Sequence, residues 1–276
     1  FNYIFAKSNN GIFKIRIEDT DKSRNIQASI ESIINGLNWL GLNTDQKVNF
    51  QSKNKNNHIS IIKKMVDSGL AYKCFHTEEE LIVKRKQNKK FKSEWRDKKE
   101  NSSKNGNFCI RIKSPINGKS KIIDKIQGEV QVENNELDDF IILRKDGSPT
   151  FLLSSAVDDN EMLITDIIRG DDHLTNSFRQ LEIFKFLNYK PNFSHMSLIH
   201  NEKNEKLSKR DNVLSIDDYK RKGFLKESLI NYMLRMGWSY GNNEIISIDE
   251  AIKNFTLEKV SKSPAMIDEK KLIFLN

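Results

Sequence analysis

A run of cationic and hydroxyl side chains, Lys206-Leu207-Ser208-Lys209-Arg210, stands in a polar part of the sequence. Lysine offers a compact positive charge and serine a short hydrogen-bond donor, so this combination suits the binding of a polyphosphate. Only one of the five side chains is apolar, which makes the run a poor core segment. The same composition is also typical of a solvated basic loop, and the run alone does not decide between the two interpretations.

An acidic run, Glu18-Asp19-Thr20-Asp21, directly follows a predicted strand. In open α/β sheets ligands bind beyond the carboxyl ends of the strands, so these carboxylates could hold an amine or a metal ion. Asp-Thr-Asp also occurs in metal-dependent sugar transferases, and an aspartate here could simply cap a helix. The run is therefore a candidate site with a structural alternative.

A second polar turn, residues 169–173 (Arg-Gly-Asp-Asp-His), also ends a predicted buried strand. The planar fork of Arg169 suits a carboxylate substrate. His173 stands beside two acidic residues and could donate to a phosphate or a ribose, although a histidine often has a purely structural place. Asp158 and Asp159 precede the same strand, and they either cap a neighbouring segment or belong to the site.

The elements that must position these turns follow from the apolar periodicity. Alternation predicts a strand at 13–18, and helical spacing predicts helices at 26–40 and 58–68, each ended by a glycine. Further strands are predicted at 162–169 and 193–199 with a helix between them. Strands that alternate with helices are typical of an α/β fold.

Between about residues 70 and 155 the pattern changes. Thr77 and Glu80 form a capping box that begins a helix, and a basic stretch follows, which is typical of a solvated helix face. Short apolar segments at 108–112, 127–133 and 140–143 predict an antiparallel sheet. We therefore expect an insertion here in the α/β core. Beyond the Lys/Ser run, two more capping boxes predict a helical region.

Composition narrows the class of protein. The net charge is +8 and the isoelectric point is near 9.2, which favours a polyanionic partner such as a nucleic acid or a nucleotide. Cys74 and Cys109 are the only cysteines, which predicts a reducing cytoplasm. No apolar run has the length of a membrane span, so no membrane partner is expected. The sequence contains neither a P-loop nor a dinucleotide-binding glycine pattern.

These segments, in this order, resemble glutamyl-tRNA synthetase of the bacterial type, a class I aminoacyl-tRNA synthetase. The resemblance covers essentially the whole chain. The matching stretches are 16–21 (Arg-Ile-Glu-Asp-Thr-Asp), 39–42 (Trp-Leu-Gly-Leu), 146–151 (Asp-Gly-Ser-Pro-Thr-Phe), 157–159 (Val-Asp-Asp), 168–173 (Ile-Arg-Gly-Asp-Asp-His), 206–210 (Lys-Leu-Ser-Lys-Arg) and 219–239, which contains Leu-Arg-Met-Gly-Trp-Ser.

The resemblance implies an α/β fold, with a Rossmann-like class I catalytic domain. It assigns 1–69 and 156–200 to the catalytic domain and 70–155 to an α+β connective insertion that grips the tRNA acceptor end. Residues 201–276 are assigned to the Lys/Ser loop and a helical region that contacts the tRNA stem. Such an enzyme is expected to be a cytoplasmic monomer.

The resemblance also implies a reaction. The family joins glutamate to the α-phosphate of ATP, with Mg²⁺ accompanying the ATP, and then transfers the glutamyl group to the 3′ end of tRNA(Glu). By position in the motifs, Glu18 would hold the α-amino group of glutamate and Arg169 its side-chain carboxylate. Phe151 and Ser155 would line the same glutamate site.

The ATP contacts implied by the resemblance come from the two later motifs. Asp172, His173, Ile199 and Ser208 would lie against ATP. Lys206 and Lys209 are the implied catalytic residues, because a positive charge there would stabilise the phosphates as pyrophosphate leaves.

Some residues depart from the family pattern. Members usually have Tyr where this chain has Phe151, so a hydroxyl contact to the substrate is missing, and Ser155 replaces another small or polar residue. Some members bind zinc through Cys-x-Cys and a later Cys-x-His pair. Here the first pair reads Cys74-Phe75-His76, and 91–97 contains no Cys or His. We therefore expect no metal site and no zinc.

Two parts of the family are missing from these 276 residues: the His-Ile-Gly-His signature and the anticodon-binding domain. We expect that the 276 residues by themselves do not charge tRNA.

Three alternatives stay open. A glutaminyl-tRNA synthetase shares the fold but does not place Arg and this acidic turn after the equivalent strand. A tRNA-modifying paralogue lacks the complete Lys/Ser run and the helical tract. The third alternative is a catalytically inactive RNA-binding fragment, and only the missing His-Ile-Gly-His signature supports it.

Overall fold

The computed structural model of the chain describes residues 1–20, 27–87, 91–98, 107–207 and 214–276, without the side chains of 85–87. Several residues of the predicted site therefore lie outside the described residues, namely Asp21, Ser208, Lys209 and Arg210.

The two polar turns follow strands that pair in parallel. β1 (Arg16–Ile17) pairs with β2 (Asn49–Phe50), and β8 (Asp166–Gly170) pairs with β9 (Asn192–Met196) from Asp166 to Gly170. β1 is shorter than the predicted strand at 13–18, although Ile15 still accepts a backbone hydrogen bond from Asn49. β8 begins later than predicted, because Met162 still closes the preceding helix.

The β8–β9 sheet is extended by a hairpin from the predicted insertion. β5 (Lys119–Asp124) lies parallel to β9 and meets it at Asp124 and Phe193, and β6 (Gly128–Glu133) pairs with β5 antiparallel. This mixed α/β architecture confirms the predicted fold class. The hairpin belongs to the predicted insertion (70–155), and it pairs with β9 of the predicted catalytic segment (156–200).

A separate antiparallel sheet contains two of the three segments predicted to form one in the insertion, 108–112 and 140–143. The third segment, 127–133, forms β6 in the other sheet, so this part of the prediction was wrong. The order of the separate sheet is β3 (Ala71–Cys74), β4 (Cys109–Ile112) and β7 (Ile141–Leu143). Two short strands, β10 (Ile199–His200) and β11 (Ala265–Met266), pair in parallel near the Lys/Ser run. The proposed domain boundaries stay a prediction, and the one at residue 155 falls inside a helix.

The described residues form ten α-helices. They are α1 (Asn2–Ser8), α2 (Gln27–Trp39), α3 (Lys55–Asp67), α4 (Glu78–Gln87), α5 (Phe151–Glu161), α6 (Leu174–Phe186), α7 (Ile216–Arg221), α8 (Lys226–Arg235), α9 (Ile248–Asn254) and α10 (Glu269–Leu275). All three predicted capping boxes are present, at Thr77, Ser215 and Ser247. Within the described residues, no helix has both the length and the apolar character to cross a bilayer.

The helices bury two apolar cores. One core packs α3, α5 and α6 against the sheets, with Met65, Leu153 and Ile183 fully buried. The other gathers α1, α2 and the C-terminal helices around Trp238. Ile33, which the periodicity placed on the buried face of α2, is exposed.

Candidate active site

One face of α5 forms a wall of the site. Phe151, Ser155 and Asp159 follow each other at intervals of four residues, so they lie on the same side of this helix. Ser155 is buried, and its hydroxyl donates to the Phe151 carbonyl and accepts from Gln180 on α6. Asp158 points elsewhere and accepts from His58 at 2.6 Å. Because Asp158 and Asp159 lie within α5, neither caps a segment.

A small polar cavity of about 300 Å³ opens between this wall, β1 and β8. Glu18, Phe151, Ser155 and Arg169 all line it. These are the four residues that the sequence analysis assigned to glutamate, and the fold brings them to one cavity from three separate segments. Glu18 presents a partly exposed carboxylate, whereas Ser155 lies in the cavity wall.

Arg16 and Asp159 face the same cavity, and the sequence analysis did not assign a role to Arg16. The Nη1 atom of Arg16 lies 2.6 Å from Oδ1 of Asp159. Burial raises the pKa of Asp159, and the charge of Arg16 opposes this shift only in part. Arg16 stands in the same motif as Glu18, but its partner lies 143 residues away, so local sequence gave no sign of the pair.

Arg169, at the end of β8, is held mainly by neutral groups. Its Nε donates to Nε2 of His195 at 3.2 Å, and its Nη2 donates to Oγ of Ser177 at 2.8 Å. Nη1 and Nη2 both lie 3.2 Å from Oε1 of Gln180. Burial lowers the pKa of Arg169, and the charges of Asp159 and Asp172 oppose the shift. Among the described residues, Arg169 is thus held in place without a direct ion pair.

Behind Arg169 stands a buried pair that the sequence analysis missed. Nδ1 of His195 lies 2.6 Å from Oδ2 of Asp124, and both side chains are fully buried. Burial alone would raise the pKa of Asp124, but hydrogen bonds from His195 and from backbone amides outweigh it and lower the pKa to about 2. No local pattern connects the two residues, because they are 71 positions apart.

On the other side of Arg169, two residues predicted for the nucleotide site meet directly. Nζ of Lys206 lies 2.6 Å from Oδ2 of Asp172. This hydrogen bond, with help from the charge of His173, lowers the pKa of Asp172 against the opposing effect of burial. The Leu207 amide donates to the Ile199 carbonyl, so the start of the Lys/Ser run is tied to β10. Ser208 and Lys209, also predicted here, are outside the described residues.

A second cavity of about 660 Å³ shares Arg169 with the small one. Ile199 and Lys206 line it together with apolar side chains from α1, α2 and α8. Such a cavity, apolar with a cation at its wall, has the chemistry to hold a nucleotide base and its phosphates. Asp172 is connected to it through Lys206.

Two further residues of the predicted turns, His173 and Asp19, contact other protein side chains or backbone. The ring of His173 lies 6.2 Å from that of Phe151, and its Nδ1 lies 2.9 Å from the Asn176 side chain. Asp19 accepts hydrogen bonds from the amide and the hydroxyl of Ser52. Asp19 therefore has a capping role, at the turn before α3.

Residues 1–274 match the family model described as tRNA synthetases class I (E and Q), catalytic domain. The chain belongs to this class I synthetase family. It is 46% identical over 284 residues to glutamate–tRNA ligase 2 of Rickettsia akari, and 45% identical over 285 residues to glutamate–tRNA ligase 1 of Ehrlichia canis. Each alignment covers all of this chain but 61% and 60%, respectively, of the relative.

Solved structures agree with this assignment. A glutamate tRNA ligase from Elizabethkingia meningosepticum, in complex with its amino acid, matches with a TM-score of 0.90 and 31% identity, covering 100% of this chain and 64% of that one. The synthetase from Elizabethkingia anophelis matches with a TM-score of 0.89 and 30% identity, covering 99% and 65%. The chain thus spans about three fifths of the length of its relatives, and the family resemblance is confirmed.

In the predicted connective insertion (70–155), the described residues do not group the ligands of a structural metal site. Cys74 and Cys109 pair across β3 and β4 as free thiols. His76 contacts the carboxylates of Glu80 and Glu94 and the Ser93 hydroxyl. Across residues 1–20, 27–87, 91–98, 107–207 and 214–276, no three His, Cys, Asp or Glu side chains are grouped to hold a metal ion. The absence of zinc stays a prediction.

Proposed function

We propose that this chain is the catalytic and connective part of a glutamate–tRNA ligase. The enzyme activates L-glutamate with ATP and transfers the glutamyl group to the 3′ end of tRNA(Glu). The observation that carries the proposal is the small cavity, where Glu18, Phe151, Ser155 and Arg169 meet beside the larger apolar cavity. The names of the relatives support the same activity.

The charges of the small cavity match those of glutamate. Arg169 offers a positive charge to the side-chain carboxylate, and Glu18 offers a negative charge to the α-amino group. Neutral partners hold Arg169, so its charge is available to a ligand. A carboxylate gains from this charge, whereas the amide of glutamine does not.

The larger cavity supports a site for ATP. Apolar side chains would contact the base, and Lys206 would contact the phosphates, with Ser208 and Lys209 of the same run nearby in sequence. Mg²⁺ commonly binds through substrate phosphates and water with one or two protein carboxylates. It would therefore accompany the ATP phosphates, and Asp172, which lies beside Lys206, is a carboxylate at that place. Asp172 and His173 adjoin this cavity through Lys206 and Phe151.

The proposal includes tRNA(Glu) as the macromolecular partner. The net charge of +8 favours an RNA backbone, and the connective sheet of β3, β4 and β7 belongs to the part assigned to the acceptor end. We include a cytoplasmic location and a monomeric state in the proposal, supported by two free cysteines and by the family.

The test is amino-acid-dependent exchange between ATP and pyrophosphate, measured with the protein at its full natural length and tRNA(Glu) present. Exchange is expected with L-glutamate and not with L-glutamine. Arg169→Ala should lower kcat/KM for glutamate by roughly 30-fold or more, because removal of one partner of a buried charge pair costs about 2–5 kcal/mol. Arg179→Ala serves as the control, because it removes an arginine of α6 that pairs with Asp138.

Two results would overturn the proposal. One is exchange that proceeds equally well with glutamine. The other is a kcat/KM for glutamate in Arg169→Ala that equals the value of the parent and of the control Arg179→Ala.

A further inference from the structure

We propose that His195 and Asp124 are positioning residues for Arg169, and that they act by fixing one neutral form of the imidazole. The proton of His195 lies on Nδ1 and points to Asp124, which leaves Nε2 free to accept from Arg169. The identity of the ligand at Arg169 rests on the proposed function. The arrangement of the three side chains does not.

The hydrogen bonds around His195 allow only this form. Arg169 Nε can only donate, and it lies 3.2 Å from Nε2, so Nε2 must accept. Asp124 accepts at Nδ1, 2.6 Å away, so Nδ1 must carry the proton. The Ser177 hydroxyl accepts from Arg169 Nη2, and it shares the single lone pair of Nε2 with Arg169 Nε–H in a three-centre hydrogen bond. Every polar atom in the group has a partner of the correct kind.

Asp124 is well suited to impose this form. Its carboxylate accepts from the backbone amides of Ile126, Gln127 and His195 as well as from the imidazole. A carboxylate surrounded by donors stays ionised and cannot donate a proton to Nδ1. An asparagine in its place would direct an N–H donor at groups that are themselves donors. Nδ1 of His195 would then lose its proton, and a protonated Nε2 would face Arg169 Nε.

The side chains around Arg169 come from four different elements. Arg169 comes from β8, His195 from β9, Asp124 from the β5–β6 hairpin, and Ser177 and Gln180 from α6. Asp124 pairs with the sheet at Phe193, two residues before His195. The hairpin, which belongs to the predicted connective insertion, therefore reaches the residue predicted to select glutamate through only one intermediate side chain.

Two matched substitutions separate positioning from packing. His195→Gln places a carbonyl oxygen near the Nε2 position and can still accept from Arg169. His195→Asn places its amide near the Nδ1 position, keeps the contact with Asp124 and leaves Arg169 Nε without an acceptor. Asp124→Asn tests the other end of the pair. Tyr72→Phe removes a buried hydrogen bond to Asp139 in the connective sheet and controls for a general loss of stability.

The first measurement needs no ligand. Nitrogen NMR of the full-length protein is expected to show Nδ1 of His195 protonated and Nε2 unprotonated. It should also show a slowly exchanging Arg Nε–H signal that disappears in Arg169→Lys. That signal should persist in His195→Gln and Tyr72→Phe, and be lost in His195→Asn and Asp124→Asn. An Nε2-protonated His195 in the parent, or a persistent signal in His195→Asn, would overturn the proposal.

The second measurement is the binding of L-glutamate and the KM values for exchange. His195→Asn should raise KM for glutamate roughly tenfold or more, because a hydrogen bond to a charged group is lost, while KM for ATP changes little. His195→Gln should stay within about threefold of the parent. Equal losses in both variants would overturn positioning. If the parent binds no glutamate, the proposed function fails, and the NMR result still decides the proposal.

Discussion

At the scale of single residues, the charged groups of the site differ in the partners that hold them. Arg16 is paired with a carboxylate, whereas the hydrogen bonds of Arg169 go to His195, Ser177 and Gln180. A cation with neutral partners keeps its attraction for an incoming anion, because no resident charge has to be displaced. We therefore predict a structural role for Arg16 and a ligand-binding role for Arg169 in the same cavity.

The lowered pKa of Asp124 leads to a prediction for stability. A folded-state pKa of about 2, below the ordinary value of about 3.9, contributes stability above pH 4 that is lost as the pH falls toward 2. Asp124→Asn should therefore be less stable than the parent at pH 7 by roughly 2 kcal/mol or more. The difference should shrink between pH 4 and pH 2.

Urea unfolding at a series of pH values measures this difference. Asp67→Asn changes an exposed aspartate at the end of α3 and should leave the stability profile of the parent intact. A difference between Asp124→Asn and the parent that stays constant from pH 7 to pH 2.5 would contradict the prediction.

The sequence identified residues of the site where a motif carried them. Glu18, Phe151 and Arg169 stand in motifs, and they converge with Ser155 on one cavity. Asp124 and His195 stand in no motif, and their contact exists only after the β5–β6 hairpin docks on β9. Pairing between distant strands is decided by tertiary packing, so periodicity could not reveal it.

At the scale of elements, the turn after β8 depends on a close approach at Gly170. A Cβ atom here would lie 2.7 Å from Oδ1 of Asp172 and 2.9 Å from Cδ2 of Leu198. Both atoms would have to move, and the displaced carboxylate would lose its contact with Lys206. The absence of a side chain at Gly170 therefore leaves room for Asp172 and Leu198, beside the cavity predicted to hold ATP.

We predict that Gly170→Ala raises KM for ATP by roughly tenfold and lowers stability by about 1 kcal/mol, because the overpacking falls on side chains that can partly shift. Exchange kinetics at varied ATP and a thermal unfolding curve measure the two effects. Gly11→Ala, whose Cβ would lie 3.1 Å from the Ala6 carbonyl oxygen after α1, is the control outside the turn and outside the cavity. An unchanged KM for ATP in Gly170→Ala would show that Asp172 has no part in the site.

Helix limits were more predictable than strand lengths. Capping boxes and glycine stops depend on neighbours in sequence, and the observed helices α3, α7 and α9 follow them closely. β1 and β8 came out shorter than predicted, because an alternating or apolar run does not show how many residues find a partner strand.

At the scale of the whole molecule, the predicted connective insertion (70–155) is expected to fold and remain folded without zinc. A closed zinc site takes four ligands, and here His76 is already engaged by Ser93, Glu80 and Glu94. Metal analysis of protein purified without chelators should find far less than one zinc per chain. A chelator should leave the unfolding temperature unchanged. Stoichiometric zinc, or a fall of several degrees with chelator, would contradict this prediction.

The contact between Arg169 and Gln180 has a consequence for substrate choice. Gln180 already offers Arg169 a carboxamide oxygen, which is the group that free glutamine would bring. On the proposed function, glutamine would exchange one amide for an identical one and gain nothing, whereas glutamate would exchange an amide for a full negative charge. On this proposal, Gln180 occupies Arg169 with the same carboxamide group that glutamine carries, and only a ligand that binds Arg169 better than a carboxamide can replace it.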